Sequence, residues 1–341
     1  MCLDNGLRIV LVEAMDSHKS ACSLVVNCGH FDDPVDRPGF AHFVEHLLFN
    51  GNAKYPEPNA INTFMSQHGG HCNAWTGTEH SCYFFDIQPD WFFEGLDYFA
   101  HLFIEPNFSD VALKKEQEAI HAEYKLKLKD DSRRIQQVHK QTSNPDHPFH
   151  KFSVGNRHTL SDLPQRPVVD EIRSFWQSQY QARYMTLCIV SRHSLNELEE
   201  RVSRLFSLLP DFTGRKAKSA VNSPLYRQQD LGLFIGIHPV KELHKLNLTF
   251  PLPDMSELYT NKMLSFLAHI MGHEGKGSLF EALKDLGYIN ALSAGNGISG
   301  SNFKDFNISL DLTELGEQSL DQILEQVFAY LNFLQTQTPS E

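Results

Sequence analysis

One order of elements occurs twice along the 341 residues, and this repeat constrains the fold more than any other feature. The order is strand, strand, helix, helix, strand, strand, helix, so a pair of helices separates two pairs of strands. Alternating apolar residues predict the strands, and capping residues, Gly and Pro mark the helix ends. In the first copy the elements are predicted at residues 6–13, 21–28, 39–49, 59–68, 71–76, 82–87 and 91–104.

The second copy begins after a long stretch that has no counterpart later in the chain. That stretch is predicted to contain a polar helix that opens at Ser109, a helix at 167–180, a strand at 185–191 and a helix at 195–209. The second copy is predicted at residues 231–237, 245–250, 259–271, 278–286, 289–294, 305–312 and 315–335.

The two copies differ beyond their seventh element. The first continues into further helices and a strand, whereas the second reaches the last residue of the sequence. We therefore expect a complete domain at residues 1–215 and the first half of a related domain, without a metal site, at residues 216–341. The second copy is thus expected to be incomplete, which is unusual for a full-length protein.

Charge and hydropathy exclude several classes of protein. The formal net charge is −12 and no basic stripe occurs, so a nucleic-acid partner is not expected. No apolar run approaches the roughly 20 residues that a membrane span needs. The first residues lack the basic start and apolar stretch of a signal peptide. We expect a cytoplasmic location, or a periplasmic one if a signal has been removed.

The six cysteines are scattered and form no CxxC pair. Neither a cysteine zinc site nor a thioredoxin-type motif is therefore indicated. Reduced thiols in the core or in strands are the simpler interpretation. The 18 histidines, by contrast, justify a search for a metal site.

The strongest chemical signal is the run from His42 to His46, which has the pattern HxxEH. Residues i, i+3 and i+4 of a helix share one face, so both imidazoles project side by side with Glu45 next to them. Two neutral imidazoles at this spacing can bind one zinc ion. Glu45 can then reach a water at the metal as general base. HExxH peptidases carry the same parts in reverse order.

A catalytic zinc needs a third protein ligand and an open position. The polar helix after Ser109 offers Glu116 and Glu123, which lie seven residues apart and hence on one helical face. One of the pair can ligate the metal while the other orients a ligand or handles a proton. The alternatives are a chance HxxEH match and a pair of glutamates on an ordinary solvated face. A closed structural zinc site, usually rich in Cys, fits this set less well.

Several stretches, the HxxEH run included, carry a resemblance to a known family. The chain resembles insulinase/pitrilysin-type zinc metallopeptidases, the inverzincins, and is most similar to the insulin-degrading branch. The resemblance covers nearly the whole chain but only the N-terminal portion of full members. The matching stretches are GFAHFVEHLLFNG, CNAWTGTEHSCYFFDI, NPDHPFHKFSVGN, LTFPLPD and HIMGHEGKGSLFEALKDLG.

The resemblance implies roles for individual residues. The family places 76 residues between the motif and its glutamate ligand, as between His46 and Glu123 here, and a second glutamate seven residues earlier, as Glu116. One Zn²⁺ per chain, held by His42, His46 and Glu123, is implied by it. The implied fold is α+β, with helices packed on an antiparallel sheet and the unit repeated, as in metalloenzyme LuxS/mitochondrial processing peptidase-like domains. The residues implied to contact substrate are Phe49 near the cleavage pocket, Asn73, Ala74 and Trp75 on an edge strand, and the segment from Leu292 to Gly295 in the second copy.

The expected function is zinc-dependent cleavage of peptides and small polypeptides, with Glu45 as base and Glu116 in support. The missing later domains contribute to the transition state in full members, so we expect little activity from this portion alone. The remaining domains are expected partners, and the incomplete second copy favours self-association. The alternative is a non-catalytic partner or scaffold subunit of the same fold, but such members have lost motif positions that are intact here.

Overall fold

The computed structural model describes residues 1–211 and 221–337 of the chain. It divides into two compact units, Met1–Ser219 and Ala220–Glu341. The boundary predicted between residues 215 and 216 lies outside the described residues. Each unit combines a sheet with covering helices, so the α+β fold is confirmed.

The first unit contains five strands and seven helices among its described residues. Its strands are β1 (Arg8–Glu13), β2 (Ser20–Val26), β3 (His71–Thr76), β4 (Ser81–Ile87) and β5 (Met185–Ser191). Its helices are α1 (Phe40–Leu48), α2 (Ala60–Gln67), α3 (Phe92–Ile104), α4 (Asp110–Lys127), α5 (Asp131–Thr142), α6 (Val168–Gln179) and α7 (Leu195–Phe206).

The five strands form one sheet in the order β1-β5-β2-β4-β3. All neighbouring pairs are antiparallel except β1 and β5, which run parallel. A parallel pair needs a long crossover, and here β5 comes after β1 only when most of the unit has been traversed. The strand β3 forms one edge of the sheet, so its outer backbone groups are open to another strand.

The helix α1 is amphipathic, and its apolar residues lie in the core of the first unit. Phe43, Val44 and Leu47 are fully buried, and each such side chain contributes about 1.5–3 kcal/mol of transfer free energy. The face opposite carries the partly exposed polar residues and contacts α4 and β3. Packing of the apolar face therefore fixes where the HxxEH side chains point.

The second unit has a smaller sheet, with three strands among its described residues. Its strands are β6 (Lys245–Leu252), β7 (Ile289–Gly300) and β8 (Phe303–Leu312), in the order β6-β8-β7, with all pairs antiparallel. This order matches β2-β4-β3 of the first unit, so the predicted repeat is recovered for these strands. Its helices are α8 (Met263–Met271), α9 (Leu279–Asp285), α10 (Glu314–Glu317) and α11 (Leu320–Thr336).

One predicted strand of the second copy, residues 231–237, is wrong. The segment pairs with no strand in the part of the chain that the structure describes, and Phe234 is 73% exposed. Its counterpart β1 pairs only with β5, which lies beyond the first copy in the chain. No counterpart of β5 occurs among the described residues of the second unit, and an isolated strand has no hydrogen bonds to stabilise it.

The polar helix after Ser109 is divided in two, which the sequence pattern did not predict. The helix α4 ends at Lys127, and α5 begins after Asp130, whose side chain accepts a hydrogen bond from the backbone N–H of Arg133. In the described ranges, each helix is too short or too polar to cross a membrane.

Candidate metal centre

A buried carboxylate fixes the start of the helix that carries the HxxEH motif. Asp33, only 2% exposed, accepts hydrogen bonds from the backbone N–H groups of Gly39 at 2.7 Å and Ala41 at 2.8 Å. These are among the donors that a helix leaves unpaired at its N-terminus. Asp33 thereby fixes the first turn of α1, which contains His42.

Three donor atoms converge between α1 and α4. The Nε2 atom of His42 lies 3.6 Å from Oε2 of Glu123, and Nε2 of His46 lies 3.8 Å from the same oxygen. All three lie within 4.8 Å of one another, and no other such group of His, Cys, Asp or Glu occurs within residues 1–211 and 221–337. Tetrahedral zinc holds neighbouring ligand atoms about 3.4 Å apart, so the spacing fits one ion.

The hydrogen bonds of the two imidazoles leave their Nε2 atoms available to a cation. Nδ1 of His42 donates to the carbonyl oxygen of Val154 at 2.7 Å, and Nδ1 of His46 donates to Oε2 of Glu116 at 3.0 Å. In the neutral form that a metal requires of its ligands, each imidazole carries a single N–H, so both Nε2 atoms are then bare. In that form two lone pairs and a carboxylate oxygen face one another with no proton between them, an arrangement that a metal ion stabilises.

Burial and the neighbouring His46 lower the pKa of His42 to about 4, which keeps its imidazole neutral near pH 7. Burial acts in the same direction on His46, but the hydrogen bond to Glu116 and the nearby carboxylates raise the pKa of His46 overall. Of the two imidazoles, that of His46 is therefore the one at which a proton would compete more strongly with a cation.

The two glutamates of α4 occupy different places. The Oε2 atom of Glu123 faces both Nε2 atoms, and its Oε1 pairs with Lys127. Of the two imidazoles, Glu116 contacts only that of His46, at Nδ1, the nitrogen that faces away from Glu123. Burial opposes ionisation of Glu116, but hydrogen bonds from His46 and Asn50 lower its pKa overall, so it faces His46 as a carboxylate. The geometry thus favours Glu123 as the ligand and Glu116 as the group that orients His46.

Glu45 lies beside this cluster and is held in place by a hydrogen bond from the sheet. Its Oε2 accepts a hydrogen bond from Oγ1 of Thr76, at the end of β3, and Ser81 in turn donates to Thr76 at 3.2 Å. Burial raises the pKa of Glu45 above its usual value. A carboxylate with a raised pKa is a better proton acceptor near neutral pH, which suits a general base.

A pocket of about 240 Å³ opens next to Glu45 and His46. It contains three residues predicted to contact substrate: Phe49, Asn73 and Ala74. Trp75 comes next on the same edge strand and is 45% exposed. The sequence interpretation missed several polar residues of this wall, because isolated Asn and Cys residues carry no spacing signal. They are Asn50, Asn59, Asn62 and Cys72.

The remaining two predicted contact residues lie in the second unit. Leu292 and Gly295 both belong to β7, at an edge of the three-stranded sheet. The side chain of Leu292 is 6% exposed and packs in the core of that unit, so only its backbone is open to a ligand. A role for these two residues stays a prediction.

Replacing Glu116 by glutamine is expected to weaken zinc binding by about 10- to 100-fold, the usual cost of losing a partner that orients a ligand. Glutamine keeps an oxygen near Nδ1 of His46 but loses the negative charge. Competition with a chromophoric chelator measures the effect. Glu123→Gln is expected to cost clearly more. An equal loss for both variants would contradict the division of roles between them.

Two family models together match most of the chain. One, described as insulinase (peptidase family M16), matches residues 8–147, and the other, described as the peptidase M16 inactive domain, matches residues 168–341. The HxxEH run and both glutamates of α4 lie within the first match.

Curated relatives extend this similarity along the chain. It is 37% identical over 343 residues to "Insulin-degrading enzyme-like 1, peroxisomal" of Arabidopsis thaliana, covering 98% of this chain and 34% of that protein. It is also 37% identical to the A-factor-processing enzyme of Saccharomyces cerevisiae, covering 99% of this chain and 33% of that protein. The chain therefore spans about a third of the length of these relatives.

A solved structure has the same fold. Pitrilysin superimposes with a TM-score of 0.90 at 29% sequence identity, covering 99% of this chain and 36% of that one. Both described units take part in this match.

Proposed function

We propose that this chain, which belongs to the insulinase family of peptidases (peptidase family M16), is the metal-binding portion of a zinc-dependent endopeptidase that cleaves peptides. One observation carries the proposal: the Nε2 atoms of His42 and His46 both face one carboxylate oxygen of Glu123, while both Nδ1 atoms are hydrogen-bonded elsewhere. Glu45 and an open strand edge lie directly beside them.

His42, His46 and Glu123 would hold the ion and leave a fourth position open to the pocket. When bound, zinc supplies a Lewis acid that lowers the pKa of a water to about 7 and polarises the scissile carbonyl. Glu45 accepts the proton of the attacking water on its carboxylate and then donates it to the leaving amine. The proton gained in the first step is thus returned in the second, and Glu45 ends ionised.

The edge strand β3 supplies the substrate-binding surface in this proposal. An extended peptide can add to the open side of Asn73, Ala74 and Trp75 by backbone hydrogen bonds, which give affinity with little sequence preference. The adjacent pocket, which includes Phe49, would then take one side chain of the substrate. Thr76 is the last residue of β3 and its side chain contacts Glu45. The strand that would bind the peptide therefore also holds the base in place.

The remaining domains of a longer protein are part of the proposal. Donors that stabilise a developing oxyanion contribute about 10²–10³ in rate each, and the resemblance places such donors outside this third of the molecule. We therefore propose low activity for this chain alone. A cytoplasmic location and self-association through exposed apolar residues such as Phe234 stay predictions.

Chelator-sensitive cleavage of a quenched fluorescent peptide tests this function. The zinc-loaded chain is expected to cleave slowly, to lose all cleavage after dialysis against a chelator, and to regain it with one equivalent of zinc. A metal-loaded chain that cleaves no peptide, even when joined to the remaining domains, would favour the alternative of a non-catalytic scaffold subunit. Cleavage unaffected by chelation would contradict the proposed mechanism.

A further inference from the structure

We infer that residues 151–155, here called the strap, together with Lys140, are a positioning element that sets the orientation of His42 in the metal centre. The inference rests on the proposed function, because it assumes that His42 binds the metal. The strap belongs to the stretch NPDHPFHKFSVGN, which the proposed reaction does not otherwise use.

The strap contacts His42 directly through a backbone carbonyl group. The carbonyl oxygen of Val154 accepts the hydrogen bond from Nδ1 of His42 at 2.7 Å. A carbonyl can only accept, so this bond fixes the proton on Nδ1 and turns Nε2 towards Glu123. The position of the Val154 carbonyl therefore decides where the lone pair of His42 points.

Tight packing holds the strap against the first turn of α1. A Cβ atom on Gly39 would lie 2.4 Å from Cα of Gly155, so a larger residue has no space there. Both glycines have positive φ, +100° for Gly39 and +79° for Gly155, a region that other residues rarely adopt. The two backbones thus meet in direct contact one turn before His42.

Lys151 links the strap to the cap of the same helix. Its ammonium group donates to the carbonyl oxygens of Phe31 at 2.9 Å and Asp33 at 2.7 Å. Asp33 is the residue whose carboxylate caps α1. A single side chain therefore fixes the strap relative to the start of the helix that carries His42.

Lys140 holds the strap from its other side. Its ammonium group, on a residue only 2% exposed, donates to the carbonyl of Lys151 and to Oγ of Ser153, both at 3.1 Å, and lies 3.0 Å from Nε2 of His30. Burial lowers the pKa of Lys140 to about 8. Burying an amine is unfavourable unless its hydrogen bonds are satisfied, and here two of its partners belong to the strap.

Substitutions of the two lysines test the inference without altering a metal ligand. Lys151→Met and Lys140→Met keep most of the length of the unbranched side chain but remove the donors. We expect each to weaken zinc binding by about 10- to 100-fold in chelator competition, and to change the visible absorption spectrum of the Co²⁺-substituted chain. Lys151→Arg, which can still donate to both carbonyls, is expected to restore most of the affinity.

A matched control separates positioning from loss of stability. Val202→Ala removes two buried methyl groups in α7, a helix that packs on α3 and β1. It is expected to lower the unfolding temperature while leaving zinc affinity and the Co²⁺ spectrum unchanged. Zinc affinity that falls equally in Val202→Ala, or that stays at the wild-type value in both Lys→Met variants, would overturn the inference.

A measurement on the metal-free chain distinguishes failure of the inference from failure of the proposed function. Nitrogen NMR of the imidazoles reports which nitrogen carries the proton. We expect His42 protonated at Nδ1 in the wild type and a mixture of tautomers in Lys151→Met. An unchanged tautomer in that variant would overturn the inference. Absence of zinc binding by the wild type would instead overturn the proposed function.

Discussion

Glu45→Gln is expected to retain zinc with nearly unchanged affinity and to lose about 10²–10⁴ in the rate of peptide hydrolysis. Glutamine has almost the same shape and can still accept the hydrogen bond from Thr76. It cannot accept a proton from water at neutral pH, so the first step of the proposed reaction fails. Initial rates on a quenched fluorescent peptide, corrected for a chelator-treated blank, measure the loss.

Glu118→Gln is the matched control for this substitution. Its side chain is 59% exposed on α4 and pairs with Arg157 rather than with the cluster. The control is expected to cleave at the wild-type rate. If Glu45→Gln cleaved at that rate as well, while containing one zinc per chain, Glu45 would not be the base.

His42→Ala is expected to weaken zinc binding by well over the roughly 100-fold that loss of an orienting partner costs, because a ligand itself is removed. The remaining His46 and Glu123 would leave the ion with two protein ligands. Isothermal titration or chelator competition measures the change. His18→Ala, at an exposed position, is the control and is expected to bind zinc as the wild type does. Stoichiometric tight zinc in His42→Ala would refute the ligand assignment.

Part of the candidate centre could be predicted from the sequence because it depends only on helical periodicity. The spacing of His42, Glu45 and His46 places them on one face wherever the segment is helical, and the apolar residues between them predict which face is buried. The structure indeed buries Phe43, Val44 and Leu47 and leaves the other face towards α4.

The division between Glu116 and Glu123 could not be obtained in this way. Both lie on one face of α4, so periodicity treats them alike, and only the position of α4 relative to α1 separates them. The role of the Val154 carbonyl could not be predicted from the sequence either. Every residue has a carbonyl group, and no residue type marks the one that accepts the hydrogen bond from His42.

The unpaired segment at residues 231–237 is a third feature that the sequence alone could not predict. Its alternating pattern is the same as that of a strand, yet a strand needs a partner that local sequence does not specify. In the first unit β1 finds this partner in β5. The equivalent pairing is missing among the described residues of the second unit, so the prediction failed although the alternation itself is present.

The most direct test of the metal centre is a crystal structure of the zinc-loaded chain with anomalous diffraction data collected at the zinc absorption edge. A single strong anomalous peak is expected about 2.0–2.2 Å from Nε2 of His42, Nε2 of His46 and Oε2 of Glu123. A peak bound by cysteine sulfur, or one at which Glu116 replaces Glu123, would contradict the proposed centre.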